Sequence, residues 1–212
     1  MAHFNLEQQL ELYGELTVKV GLNVQPGQRL LIIGPLGVGK TTVLEAVEYR
    51  LRSAGVPFAA LDLDALTQAY PPAPGDDPYR SGLMFANLAA VWRNFQLAGA
   101  TRLVCAYVVE SRDELDRYRA AIPGAAITVV RLRGSDETVQ ARLSGRITQG
   151  DPASGDVPKE VRERRTRWSA RSRELAAAMD RARLEDALVE TEGRDVHTIA
   201  AEVLRSTGWP GA

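Results

Sequence analysis

The sequence of 212 residues predicts an α/β fold in which helices cover both faces of a five-stranded parallel sheet. The first observation behind this prediction is that short apolar segments alternate with helical segments along the chain, which is typical of parallel sheets. The second is a glycine-rich loop at residues 34–41, which joins a short buried strand to the start of a helix. Because open sheets of this class bind ligands at the carboxyl ends of their strands, we expect the functional residues just after the strands.

The predicted elements follow from apolar periodicity and from the turn residues between periodic segments. Ser111 is expected to cap one helix, with Glu114 at the capping-box position. Another helix is expected to turn Leu83, Leu88, Val91, Trp92 and Phe95 towards the core. The predicted strands are residues 29–33, 56–61, 100–109, 126–132 and 187–191, and the predicted helices are residues 41–53, 79–97, 112–121, 135–146, 158–183 and 195–206.

The composition of the chain limits which binding partners we expect. A net charge of −1 gives no overall field that would attract nucleic acid or an anionic membrane. The chain has no uninterrupted run of apolar residues long enough to span a bilayer and no signal-peptide pattern at its N-terminus. The lone Cys105 excludes an intramolecular disulfide and is expected in the core. We expect a cytoplasmic monomer or homodimer with no membrane or nucleic-acid partner.

The loop at residues 34–41 fits the pattern G-x-x-x-x-G-K-[ST], the P-loop or Walker A motif, without a mismatch. Its glycines allow successive backbone N–H groups to point at phosphate oxygens, and the following helix N-terminus adds positive potential. The Lys40 ammonium reaches phosphates in such a loop, and the Thr41 hydroxyl ligates Mg²⁺. The expected nucleotide-binding residues here are Gly34, Pro35, Leu36, Gly37, Val38, Gly39, Lys40, Thr41 and Thr42.

Carboxylates follow the second and third predicted strands. Near a triphosphate, one carboxylate of the pair Asp62 and Asp64 can accept a proton from a substrate hydroxyl while the other supports Mg²⁺. We assign Asp62 as the base, because it lies nearer the strand end, and Asp64 as the metal-supporting residue. The structural alternative is that Asp64 caps a helical turn. Glu110, with Ser111, follows the third strand and is either a substrate or metal contact or a solvated carboxylate.

Arginines flank a polar Gly/Pro/Asp loop near residues 149–158. Arg142 and Arg146 are four residues apart and share one helix face just before this loop. Their guanidinium groups suit phosphate oxygens, because the fork binds in a bidentate way. The next helix carries a second run that is best explained as a solvated face; its members are Arg162, Arg164, Arg165, Arg167, Arg171 and Arg173.

Over residues 30–209 the chain resembles the small P-loop kinases of the adenylate-kinase, shikimate-kinase and adenylylsulfate-kinase type, and nucleotide-kinase-like ATP-binding proteins. The motif at 34–41, Asp62-Leu63-Asp64, the Arg142/Arg146 pair and the segment at 191–194 carry the resemblance. It implies a three-layer P-loop NTPase sandwich with strand order 2-3-1-4-5 and a helical lid near residues 146–160. It also implies that Arg142 stacks on adenine, that Arg146 touches phosphates, and that Gly193 and Arg194 line the base. The third strand departs from the family, since it lacks the usual Asp at its end.

Residues 16–32 resemble a different family, because they look like the opening of the M29-type metalloaminopeptidases. No counterpart of that family's metal-ligand region follows, so we carry over no peptidase function. Residues 1–28 are expected to form a helical leader, with an amphipathic helix at residues 4–20, before a kinase domain at residues 29–212. The leader is either a natural extension or one part of a chimera.

The sequence therefore predicts an enzyme that binds ATP and Mg²⁺ and transfers the γ-phosphoryl group to a small acceptor, such as a nucleotide, a nucleoside or another metabolite. The alternative is an ATP-binding module that hydrolyses ATP weakly or not at all. A GTPase is disfavoured, because none of the three lysines lies in the Asn-Lys-x-Asp motif that reads guanine.

Overall fold

A computed structural model describes residues 28–71, 73, 75–124, 126–148 and 159–211. The predicted leader helix at residues 4–20 and the predicted loop at 149–158 lie outside these ranges. The strands are β1 (Arg29–Ile33), β2 (Phe58–Asp62), β3 (Arg102–Tyr107), β4 (Ile127–Arg133) and β5 (Ala187–Glu190). The helices are α1 (Lys40–Ser53), α2 (Ser81–Leu97), α3 (Arg112–Ala121), α4 (Asp136–Thr148), α5 (Lys159–Ala182) and α6 (Val196–Thr207), with a short 3₁₀ helix at Leu63–Thr67.

The five strands form one parallel sheet in the order β2-β3-β1-β4-β5, which confirms the predicted topology. The pairing aligns the carboxyl ends of the central strands, since Ile33 of β1 lies beside Tyr107 of β3 and Arg131 of β4. Asp62 at the end of β2 lies beside Ala106. The loops that follow β1, β2 and β3 therefore meet at one edge of the sheet.

Alternation along each strand divides the core into two clusters. Leu30 and Ile32 of β1 pack in the cluster that contains the apolar faces of α1 and α6. Leu31 and Ile33 pack in the opposite cluster, which contains residues of α2 and α3. Cys105 is 2% exposed within that second cluster, as predicted. Both faces of the sheet are thus covered, which accounts for the near-continuous burial of β1 and β3.

The buried face of α2 differs from the predicted one. Leu88 and Trp92 are buried as predicted, but Leu83 and Phe95 are exposed and Val91 is only partly buried. The helix instead buries Met84 and Phe85. These two residues share a face with Leu88 and Trp92 at spacings of three and four, and that face meets the sheet.

Helix α5 is attached to the sheet through a buried arginine of β4. Arg131 is 3% exposed, and its guanidinium lies 2.8 Å from Asp180 Oδ1 and 3.6 Å from Glu185 Oε1. It also donates to the Ala176 carbonyl at 3.3 Å. Pairing is what makes a buried guanidinium tolerable. Within the described ranges, no helix is both long enough and apolar enough to cross a membrane.

Candidate active site

The P-loop has the backbone conformation that its glycines predict. Gly37 and Gly39 adopt φ values of 82° and 101°, in the region that residues with a Cβ avoid. A Cβ on Gly37 would lie 2.7 Å from Leu143 Cγ and 3.0 Å from the Val139 carbonyl oxygen. The loop therefore lies directly against α4, and only glycine fits at this contact.

Lys40 points into the loop rather than into solvent. Its ammonium donates to the carbonyl oxygens of Gly34 at 3.0 Å and Pro35 at 3.1 Å. These contacts hold the charge beside the backbone that would surround a phosphate. The ammonium therefore lies within the loop in which the motif predicts a phosphate.

Thr41, Asp62 and Asp64 lie together, but the two aspartates make different contacts. The Thr41 hydroxyl donates to Asp62 Oδ2 at 2.7 Å. The other carboxylate oxygen of Asp62 accepts from the Asp64 backbone N–H at 3.2 Å, so Asp62 caps the 3₁₀ helix. The interpretation of Asp64 as the cap is thus wrong. The cap needs the extended backbone that Asp62 has at the strand end.

Asp64 is exposed at the rim of a cavity, although protein atoms surround its carboxylate closely. Desolvation raises the pKa of Asp64, the Asp62 carboxylate raises it further, and the Lys40 ammonium opposes both. A carboxylate with a raised pKa is a better proton acceptor at neutral pH than an ordinary one.

A first cavity of about 390 Å³ lies beside the P-loop. We call it the base cavity, because the kinase resemblance implies a nucleotide base at Arg142. The guanidinium of Arg142 donates to the Val38 carbonyl oxygen at 3.0 Å across this cavity's wall. Its lining combines loop backbone with apolar side chains from α1 and α6, which suits a flat heterocycle. The lining residues are Val38, Gly39, Thr42, Val43, Arg142, Gly145, Thr191, Arg194, Val196 and Ile199.

The segment after β5 contributes Thr191 and Arg194 to the lining of the base cavity. Thr191 is buried and donates to the Arg133 carbonyl oxygen at 3.0 Å. Gly193 adopts a φ of 60° in the following turn. Arg194, which lines the cavity, donates to the Glu190 carbonyl oxygen at 2.8 Å and pairs with Glu202 at 2.5 Å. Arg146 lies in the last turn of α4, and its side chain is outside the described part of the structure.

A second cavity of about 390 Å³ touches the P-loop from another side. We call it the acceptor cavity, after the small phosphoryl acceptor that the sequence predicts. Leu36 and Asp64 contribute to its wall, and the remainder comes from the starts of α2 and α3, the end of β3 and the middle of α5. The lining residues are Leu36, Asp64, Tyr79, Ser81, Tyr107, Val108, Glu110, Ser111, Asp113, Glu114, Arg117, Arg171 and Leu175.

The capping of α3 positions part of this wall. Glu114 N–H donates to Ser111 Oγ at 3.2 Å, which confirms the predicted cap. The Glu114 carboxylate accepts from the Glu110 backbone N–H at 2.9 Å, one residue earlier than in a standard capping box. Desolvation raises the pKa of Glu114, chiefly because the side chain is enclosed.

Two residues of α5 have contacts that sequence reasoning missed. Arg171 forms an ion pair with Glu110 across the acceptor cavity, so this member of the arginine run is not part of a solvated face. Its neighbours Arg164, Arg165 and Arg167 are exposed as predicted. Ser172 is 2% exposed and donates to the P-loop carbonyl of Leu36 at 2.8 Å. No sequence signal set Ser172 apart, because Thr166 and Ser169 are small polar residues of the same charged segment.

The donor set fits Mg²⁺ of the P-loop kind. Such a magnesium site uses one or two protein oxygens and takes its other ligands from phosphates and water. Thr41 Oγ1 and Asp62 Oδ2 are hard oxygen donors 2.7 Å apart at the start of α1. Among the described residues, no group of three or more His, Cys, Asp or Glu side chains forms a metal cage, and a P-loop site does not require one.

Solved structures share this architecture. The chain is similar to the tunicamycin resistance protein of Deinococcus radiodurans, with 17% identity, a TM-score of 0.60 and coverage of 88% of this chain and 98% of that one. A gluconokinase from Sinorhizobium meliloti matches with 19% identity and a TM-score of 0.52, over 86% and 92% of the two chains. Shikimate kinase from Acinetobacter baumannii matches with 16% identity and a TM-score of 0.51, over 86% and 93%.

The chain has the fold of the small P-loop kinases. This confirms the fold that the sequence predicts, and at these identities the likeness extends to the fold alone.

Comparison of sequences gives a weaker relation. No family model matches the chain. A curated relative, the thiamine import ATP-binding protein ThiQ of Yersinia pestis, is 26% identical over 129 residues, which are 56% of this chain and 55% of that protein. The chain thus spans about half the length of the curated relatives it matches. None of these comparisons supports the resemblance of residues 16–32 to metalloaminopeptidases.

Proposed function

We propose that this protein is an ATP-dependent phosphotransferase that moves the γ-phosphoryl group of ATP to a hydroxyl of a small acceptor. The observation that carries the proposal is that two separate cavities of similar volume both contact the P-loop, one through Val38 and Gly39 and the other through Leu36. A protein that only bound or hydrolysed ATP would need the first cavity but not the second. The structural neighbours named as kinases support the same reaction class.

The donor nucleotide would occupy the base cavity and the P-loop. Arg142 would lie against the nucleotide base, with Arg194 at its edge and Thr42 beside the loop, and Gly193 would form the turn next to Arg194. Lys40 and the loop N–H groups would hold the β- and γ-phosphates, and Arg146 stays the further phosphate contact that the kinase resemblance implies. Mg²⁺, when bound, neutralises phosphate charge. The Thr41 hydroxyl and the Asp62 carboxylate are the side chains placed to hold it.

Position along the strand suggested Asp62 as the base and Asp64 as the metal support. The contacts favour the reverse assignment. Asp62 is hydrogen-bonded to Thr41, the residue expected to ligate Mg²⁺, so it suits the metal-supporting role. Asp64 lines the acceptor cavity and has a raised pKa, so it suits the role of base. We therefore propose Asp64 as the residue that accepts the proton.

The proposed step is an in-line displacement. A bond forms between the acceptor oxygen and the γ-phosphorus while the bond from that phosphorus to the β,γ-bridging oxygen breaks, and its electron pair leaves with ADP. The hydroxyl proton passes to Asp64 and from there to solvent. The cavity walls position the acceptor and limit competing attack by water.

A second candidate is an ATP-binding module with weak hydrolysis. One observation favours it. Glu110, the carboxylate after β3, is held by Arg171 rather than directed at the P-loop. In this case the acceptor cavity would bind an effector rather than a substrate.

The test is ATP consumption against a panel of small alcohols, with product masses, and ATP titration by calorimetry. Phosphotransfer predicts ADP and a product 80 Da heavier than one acceptor, where 80 Da is roughly the mass that one phosphoryl group adds. Lys40→Ala should weaken Mg-ATP binding by about 1.5–3 kcal/mol, because it removes a charge-assisted contact. Acceptor-independent release of inorganic phosphate as the only product would favour the second candidate. Equal ATP affinity in Lys40→Ala and wild type would place the nucleotide elsewhere.

A further inference from the structure

The acceptor cavity has an excess of negative charge. Its wall carries four carboxylates, which are Asp64, Glu110, Asp113 and Glu114, against the two guanidinium groups of Arg117 and Arg171. Three of these carboxylates lie within five consecutive residues at the end of β3 and the start of α3. Leu36 of the P-loop and Leu175 of α5 contribute apolar surface to the same wall.

Both arginines of the cavity are already engaged by protein groups. Arg171 pairs with Glu110, and its second nitrogen lies 3.6 Å from Glu174 Oε2. The guanidinium of Arg117 lies over the ring of Phe85 at 4.3 Å from the centroid. For Arg171 to bind a phosphate or carboxylate of the acceptor in a bidentate way, its pairing with Glu110 would have to break.

Two tyrosines, Tyr79 and Tyr107, also line the cavity. The guanidinium of Arg171 lies 5.5 Å from the Tyr79 ring centroid and occupies one face of that ring. Burial raises the pKa of Tyr107 to about 12, with further contributions from Asp64, Glu114, Asp77 and Asp62. The Tyr107 hydroxyl therefore stays protonated and uncharged.

We propose that the acceptor is an alcohol that carries an ammonium group and no phosphate or carboxylate, as in an aminated sugar or an aminocyclitol. This inference rests on the proposed function and specifies its substrate class. The ammonium group lies among the carboxylates of the α3 start, while a hydroxyl of the same molecule faces Asp64. The ammonium has no free electron pair, so the hydroxyl oxygen forms the new bond to phosphorus and Asp64 takes its proton.

The first experiment measures phosphotransfer to three molecular frames in matched charge forms. The frames are glucosamine with glucose and glucose 6-phosphate, 2-deoxystreptamine with myo-inositol and inositol 1-phosphate, and serinol with glycerol and glycerol 3-phosphate. In at least one frame, kcat/KM for the aminated member should exceed that of the neutral member by about tenfold. The excess should shrink as salt is raised, because screening weakens it. A phosphorylated or neutral member that equals the aminated one in every active frame overturns the proposal, as does absence of transfer to all three amines.

The second experiment removes one charge from the cavity. Asp113→Asn should raise the KM for the best aminated acceptor by about threefold to tenfold, with a smaller change in kcat. Asp116→Asn is the matched control. It removes the same charge from the same helix, but Asp116 pairs with Arg119 and is not part of the cavity wall. Equal effects of the two substitutions, or a change confined to kcat, would contradict the assignment.

The two proposals fail in different ways. Transfer to neutral or phosphorylated alcohols with no preference for amines overturns the acceptor class and leaves the phosphotransferase intact. ATP affinity that is equal in Lys40→Ala and wild type counts against the phosphotransferase itself. Hydrolysis of ATP without transfer to any alcohol of the panel does so too.

Discussion

The assignment of Asp64 as base and Asp62 as metal support can be tested by two substitutions that change charge but not shape. Asp64→Asn keeps the side-chain volume and removes the proton acceptor. A positioned base contributes about 10²–10⁴-fold to the rate, so single-turnover transfer should fall by that factor. The loss corresponds to about 2.7–5.5 kcal/mol in the activation free energy. ATP affinity should change little, because Asp64 lines the acceptor cavity and not the base cavity.

Asp62→Asn should have a different result. The asparagine amide oxygen can still accept from the Asp64 N–H, so the 3₁₀ helix should keep its cap. The lost negative charge lies 2.7 Å from the Thr41 hydroxyl. The Mg²⁺ concentration for half-maximal transfer should therefore rise about tenfold, whereas the rate at saturating Mg²⁺ should fall by less than about tenfold.

The pH dependence of the transfer rate gives an independent test of Asp64 as the base. A base acts only when it is deprotonated, and burial, the Asp62 charge and the partly opposing Lys40 charge leave the pKa of Asp64 above the ordinary carboxylate range. Single-turnover rates should therefore fall as the pH drops through this raised pKa, and the inflection should lie above about 4, where an unperturbed aspartate titrates. The inflection should disappear in Asp64→Asn.

Rapid-quench measurements with the acceptor found by the panel, beside ATP titration of each variant, decide between the assignments. A positioned base contributes at least roughly 10²-fold to the rate. If Asp62→Asn lowers the transfer rate by about that factor or more at saturating Mg²⁺ and Asp64→Asn does not, the two roles are reversed. Strand position would then have been the better guide. Unchanged transfer in both variants would exclude this pair and direct attention to Glu110.

Three further outcomes follow from packing. Gly37→Ala should lower the free energy of unfolding by about 1–3 kcal/mol and weaken ATP binding, because the added Cβ would meet α4 at a φ that alanine avoids. An unchanged urea midpoint and an unchanged ATP affinity would refute this. Ser172→Ala should cost about 1–2 kcal/mol by removing the buried bond to Leu36, whereas Ser206→Ala, in an exposed hydroxyl-to-carbonyl contact, should cost under about 0.5 kcal/mol. Burial raises the pKa of Cys105 to about 12, so a thiol reagent at about pH 8 should label it only in denaturant, and rapid labelling of the native protein would contradict its placement.

The sequence was sufficient for features that depend on local order. The P-loop motif is contiguous, and its glycines and the following helix start specify the loop conformation without reference to the rest of the chain. The Ser111 cap involves residues three apart. The alternation of strands and helices predicted the sheet, and the apolar runs of β1 and β3 are those of strands buried on both faces.

Only the tertiary structure decided which chemical groups meet. Thr41 and Asp62 are 21 residues apart, Glu110 and Arg171 are 61 apart, and Leu36 and Ser172 are 136 apart. No local pattern relates these pairs, since each contact depends on strand register or on how α5 crosses the sheet. The same reason explains the buried face of α2, where Met84 and Phe85 displaced the predicted Leu83 and Phe95. Spacing fixed which residues share a helical face, and the position of the sheet determined which face became buried.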